Sequence, residues 1–158
     1  MARLKNINRS KKHEDLVQRL TAEKHPETDK TLFTTIRELL CFAAMLGYAE
    51  KRRVSLDQKY GVEDVSYQQF EANDANDYIF IIALAETGST DIFKADSKID
   101  MVEIFEEYAN GGIEIIKSWM NQYRDEFGSK AIVQGLFDKK YIENDKIDRD
   151  KLISSISF

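Results

Sequence analysis

The sequence predicts an all-α fold: a single compact helical domain of five to seven helices, with one long helix around residues 97–127. Three observations carry this. The 158 residues hold only seven Gly and one Pro, too few for a linker-rich or low-complexity chain, and the frequent Ala, Leu, Glu, Lys and Ile favour helices. Val102, Phe105, Ala109, Ile113, Ile116, Met120 and Tyr123 recur every three or four positions, which is one continuous helical stripe. Glu103, Glu107, Asn110, Glu114, Lys117, Asn121 and Arg124 keep the same rhythm on the opposite face. The two registers agree across Gly111-Gly112, so the helix runs through the glycines.

The elements follow in order. Residues 1–10 read as a flexible basic arm, 11–141 as the helical domain, and 142–158 as a loop and short C-terminal helix packing on it. Ser10 can cap a first helix with Leu16, Val17 and Leu20 on one side. His13 falls in its basic, exposed first turn. Pro26 then breaks the pattern, because proline disfavours helical geometry in the residue before it. A second helix covers roughly 32–49, capped by Thr35 with Glu38 three residues on, or earlier by Asp29 or Thr31. Leu32, Ile36, Leu39, Leu40, Ala43 and Leu46 give it a broad apolar face. Gly47 and the following Lys51-Arg52-Arg53 suit its C-terminus, where the dipole favours cations.

Gly61 marks a turn, and 62–70 reads as a short strand or a helical turn. The apolar run 78–85 is a buried strand or helix by periodicity alone. Helix is preferred, since Asn73 or Asp74 can cap it, Ala83 and Ala85 are poor strand formers, and Gly88 can end it. Ser97 with Asp100 resembles a capping box for the long helix. Each interior glycine there costs about 1 kcal/mol against Ala, so Gly111 and Gly112 point to close approach of another helix or of a ligand backbone, or to a kink. After Gly128 a helix spans 129–141 with Ile132, Val133, Leu136 and Phe137 inward, and Leu152, Ile153 and Ile156 mark the last one.

Charge is uneven. Residues 1–60 hold 13 Lys and Arg against 8 Asp and Glu, whereas 61–158 hold 10 against 20. Such asymmetry fits a basic surface for a polyanion and an acidic one for a protein partner, or two solvated faces. Arg3, Lys5, Arg9, Lys11 and Lys12, followed by Lys51, Arg52 and Arg53, are the candidate DNA-binding residues. They are of the type that neutralises phosphates without reading bases. No apolar run approaches the ~20 residues that span a bilayer, and the basic start lacks the apolar core of a signal peptide. A cytoplasmic protein without a membrane partner is expected.

Catalytic constellations are missing. One Cys and two distant His supply neither a zinc set nor a Cys–His pair. Cys41 lies in an apolar run and reads as an inert core thiol. Gly128-Ser129-Lys130 lacks Walker spacing, and Gly111-Gly112 follows no strand. No catalytic residue, metal or cofactor is expected, and the chain reads as a non-enzyme. A carboxylate-based, metal-dependent hydrolase using Glu86, Glu103, Glu107 and Glu114 is the catalytic alternative. Glu86 closes an apolar run and needs a donor, for which Arg37, Tyr108 and Asn110 are candidates.

Three stretches, in order, carry a resemblance: Phe42-Ala43-Ala44-Met45-Leu46-Gly47-Tyr48 with the basic cluster behind it, Ala83-Leu84-Ala85-Glu86-Thr87-Gly88, and Ile104 to Ile115 with Glu106-Glu107-Tyr108-Ala109-Asn110-Gly111-Gly112 at its centre. Together they resemble the bacterial family known as Dnd system-associated protein 4, over roughly residues 10 to 120. Members of that family are encoded beside the Dnd genes for DNA phosphorothioation and the linked restriction machinery. The resemblance implies a context of DNA modification and antiviral defence. In that context a helical domain lacking catalytic constellations suits an accessory or adaptor protein, with components of that machinery as its partners and duplex DNA as a further candidate. A direct DNA-binding module is the alternative. Glu86, Glu106, Glu107, Tyr108, Asn110, Gly111 and Gly112 are the candidate partner-binding residues, unless Tyr108 and Asn110 pack inward and specify the fold. The apolar surface of 39–46 is enough to serve both a core and self-association.

Overall fold

A computed structural model describes residues 4–143 and 153–156. Arg3, Leu152 and all but the first residue of the loop expected at 143–148 lie outside the described residues. The chain is mostly helical: α1 (Glu14–Thr21), α2 (Ile36–Ala49), α3 (Tyr67–Glu71), α4 (Asn76–Thr87), α5 (Met101–Gln122) and α6 (Ser129–Asp138), with one further helical turn at 153–155. The all-α expectation needs one correction. Strands β1 (Ile7–Ser10) and β2 (Val62–Val65) form an antiparallel pair, with Ile7 opposite Val65 and Ser10 opposite Val62. Four residues barely display a period of two, which is why β1 does not stand out in the sequence and β2 appears there only as one of two alternatives.

The β1 strand also corrects the flexible arm. Ile7 is fully buried, and Asn6 ties the end of the strand down by donating to Asp64 and accepting from the Tyr67 N–H. The 62–70 ambiguity resolves into both alternatives, a strand followed by a short helix.

Helix boundaries follow local chemistry. The Thr35 hydroxyl accepts from the Glu38 N–H at 3.1 Å, so α2 begins at Ile36 rather than near 32. Glu38 reaches back to Thr34 rather than to the cap residue itself. Asp100, not Ser97, caps α5 by accepting from Glu103 N–H. Neither Asn73 nor Asp74 caps α4, which starts without a side-chain cap after Ala75 and ends on left-handed Gly88. Helix α5 stops at Gln122 and α6 at Asp138, both short of the expected 127 and 141.

Helix α5 is the axis of the core. Val102, Phe105, Ala109, Ile113, Ile116 and Met120 are all buried, as the stripe predicts. Its main neighbour is α2, and the contact is made by backbone. A Cβ on Gly112 would collide with the Ala43 carbonyl, and one on Gly47 with the Tyr108 carbonyl. Gly47 therefore belongs to the crossing rather than to a helix end. Leu39, Leu40, Cys41, Ala43, Ala44 and Leu46 are buried, leaving Met45 as the exposed large residue of that run. Helix α2 thus spends most of this apolar surface on the core. No helix among the described residues is long and apolar enough to cross a membrane.

Candidate functional site

The Glu-Glu-Tyr-Ala-Asn-Gly-Gly stretch and the basic cluster after α2 meet on one side of α5. The absent side chain of Gly111 makes this possible, since a Cβ there would strike the Arg52 carbonyl. Main-chain and side-chain bonds then fasten residues 52–55 along the helix. Val54 N–H donates to the Glu107 carbonyl at 3.1 Å. The Asn110 amide donates to the Val54 and Ser55 carbonyls, each at 3.2 Å. These are peptide oxygens that no regular element would satisfy.

The ionic part is equally closed. Arg53 bridges two carboxylates, Glu86 at 3.1 Å and Glu107 at 3.0 Å. Ser55 donates its hydroxyl to the second Glu107 oxygen at 2.9 Å. Tyr108 donates to the second Glu86 oxygen at 2.5 Å, so Tyr108 and Arg53 are the Glu86 partners, while Arg37 lies beside Glu38. Burial first, and then the adjoining Glu86 carboxylate, push the Tyr108 phenol up to about 12. Tyr48 stands edge-on to the Tyr108 ring with centroids 5.4 Å apart. Arg52 pairs with Glu114 at 2.7 Å. Tyr108 and Asn110 therefore pack inward, the outcome in which the motif specifies the fold.

Glu106 faces the other way. Its carboxylate is buried and accepts the Asn8 N–H of β1 at 2.6 Å. Burial raises it to about 7, against the pull of the Asn8 N–H and Lys5.

Among the described residues, most of the N-terminal cations have acidic partners within the molecule. Arg9 is only 7% exposed and forks onto Glu14. Lys5 pairs with Asp100 at 2.6 Å and Lys11 with Glu63 at 3.3 Å. Lys12 lies over the Tyr60 ring. Among the described residues only Lys12 and Lys51 of the candidate set have no acidic partner within 4 Å. A shallow cleft of about 360 Å³ is lined by Lys51, Arg52, Lys139 and Trp119. Lys139 in turn is held by Glu50 at 3.2 Å.

His13 corrects its expected exposure. It is 4% exposed, with Nε2 3.9 Å from Glu114 and neither ring nitrogen hydrogen-bonded among the described residues. Burial pushes its pKa down against the pull of Glu114. Burial likewise pushes the Cys41 thiol up to about 12, a value that suits packing and not nucleophilic attack.

The four carboxylates of the hydrolase alternative do not converge. Glu86 and Glu107 share Arg53, Glu114 takes Arg52, and Glu103 acts instead on Lys5 and Glu106. Among the described residues no three His, Cys, Asp or Glu side chains are placed to hold a metal ion. A larger cleft of about 380 Å³, between 23–32, Phe127 and 153–156, contains none of the candidate residues.

The sequence does not single out Tyr48, Ser55 or Asn8 as parts of this arrangement. Two of them contribute through ordinary polar groups, and only the strand and the glycine contact bring those groups to α5.

A family model described as DNA sulphur modification system-associated protein 4 matches residues 6–151. The match extends the resemblance at both ends, taking in β1 and α6. No curated protein and no solved structure matched the chain.

Proposed function

The chain belongs to the DNA sulphur modification system-associated protein 4 family, and we propose that it serves such a system as a non-catalytic accessory protein, an adaptor that binds the system's protein components. One observation carries the reading. The residues best suited to chemistry, Glu86, Arg53, Glu107 and Tyr108, neutralise one another in a closed network. A base or nucleophile must reach its substrate with its lone pair free. A carboxylate held by both a guanidinium and a phenol suits a structural role better than that of a free base. What the chain leaves available is surface, and its acidic two-thirds suits a protein partner better than a polyanion.

Co-expression of the tagged chain with the complete set of system proteins tests this. Capture of at least one component, with a lost defence phenotype when the gene is deleted, is expected. Capture of none, together with a normal phenotype, overturns it.

Direct DNA contact has one surface in its favour, the cleft of Lys51, Arg52 and Lys139. Fluorescence anisotropy of duplex DNA, with and without a phosphorothioate linkage, across a salt series reads it directly. Binding that falls steeply with salt and weakens in Lys51→Glu supports this second reading.

A further inference from the structure

Helix α4 points its unusual face outward. Ile79, Ile82 and Ala83 serve the core, yet Tyr78, Ile81 and Leu84 are 43%, 55% and 37% exposed, and Ala85 is exposed beside them. At 100° per residue these four fall within one arc of about 120°. The polar residue inside that arc is Asp77, in the first turn. A helix apolar on both faces normally has a second partner.

The surroundings give that partner's charge. From Tyr60 to Phe93 the chain holds no Lys or Arg and seven acids, Glu63, Asp64, Glu71, Asp74, Asp77, Glu86 and Asp91. Four are answered within the molecule, by Lys11, Asn6, Arg53 and Lys94. Glu71, Asp74 and Asp77 are exposed and have no cation within 4 Å among the described residues. They sit together where α3 passes into α4, and both Glu71 and Asp77 act on the Tyr67 phenol between them. Asp77 also complements the helix dipole, a role that Glu71, outside the helix, does not share.

We propose that the outer face of α4 is the docking surface for a basic amphipathic helix of a partner protein. Its apolar stripe lies on Tyr78, Ile81 and Leu84, and its Lys or Arg residues meet Glu71, Asp74 and Asp77. A second copy of this chain fits worse, because it would set one cation-free stretch against another. The inference rests on the adaptor reading and specifies the partner's chemistry.

The test uses the full-length chain and two labelled synthetic peptides, an amphipathic Leu/Lys helix and its Leu/Glu counterpart. The Leu/Lys peptide is expected to bind and the Leu/Glu peptide to fail. Ile81→Asp, at an exposed site, should weaken binding about tenfold or more, the equivalent of one buried aliphatic side chain. The double variant Asp74→Asn, Asp77→Asn should weaken it several-fold and flatten its salt dependence. Equal binding to wild type and Ile81→Asp overturns the inference. So does a dimer mass in light scattering that Ile81→Asp abolishes, which assigns the face to self-association. In the co-expression experiment, equal capture of a system component by wild type and Ile81→Asp removes the α4 assignment alone. Failure of wild type to capture any component removes the adaptor reading itself.

Discussion

Glu106 and Glu107 are adjacent residues of one helix and live in opposite surroundings. Glu106 is buried against β1 and takes a backbone N–H, with burial holding it near neutral pH. Glu107 takes a guanidinium and a hydroxyl from the 52–55 segment. The difference comes from what packs on each face of α5, a strand on one and a basic loop on the other. Identical side chains thus become a proton-sensitive anchor and a charge-paired anchor.

The contrast can be broken most severely at Gly111. Gly111→Ala improves helix propensity by about 1 kcal/mol, yet its Cβ meets the Arg52 carbonyl. A net loss of about 3 kcal/mol in denaturant melts is expected, with the Glu107 side loosened and the Glu106 side intact.

Glu106→Gln should sharpen the contrast from the other side. A carboxyl whose folded pKa lies near 7, above its unfolded 4.5, contributes fully below 4.5, and that contribution is lost as pH rises through 7. Wild-type stability should therefore fall between pH 5 and 8 through this group. The Gln variant keeps an acceptor for Asn8 and should flatten the slope, gaining roughly 2 kcal/mol on the alkaline side. Urea melts across that range measure it, and an unchanged slope would place the pH dependence elsewhere.

Arg53→Met should cost about 1 kcal/mol, because the pairs it breaks are part-exposed and screened. The loss should shrink in high salt and leave the Glu106 slope untouched. Smallest of all, Lys51→Glu should move stability by no more than about 0.5 kcal/mol, since Lys51 is exposed and outside the ion pairs. A large effect there would mean that the loop, not the Arg53 bridge, holds the segment to α5.

Much of this architecture was legible in the sequence, because helices advertise themselves locally. The Val102 to Met120 stripe, the Thr35 cap and Gly88 all acted as their spacing implies. Gly111 and Gly112 were readable as close approach, but not the carbonyls they approach, which lie some sixty residues away. The charges misled for a similar reason. Arg9 counts toward a basic arm until a strand and turn bring Glu14 within reach, and His13 looks exposed among lysines until the turn buries it. Lys51, Arg52 and Arg53 are the exposed cluster that the sequence suggests, but the acids that pair with the two arginines lie far along the chain, on α5 and α4. Short strands and ion pairs between distant segments have no local period, so neither can be read from composition.

The glycine crossing between α2 and α5 also orders events during synthesis. Gly47 leaves the ribosome roughly sixty residues before Tyr108 and Gly112, the backbone it fits. Until then the part of the α2 apolar face that meets α5 has no permanent cover, and a chain stalled before α5 would present it to chaperones and to other nascent chains. Emergence of α5 from the ribosome is the point at which α2 gains its main packing partner.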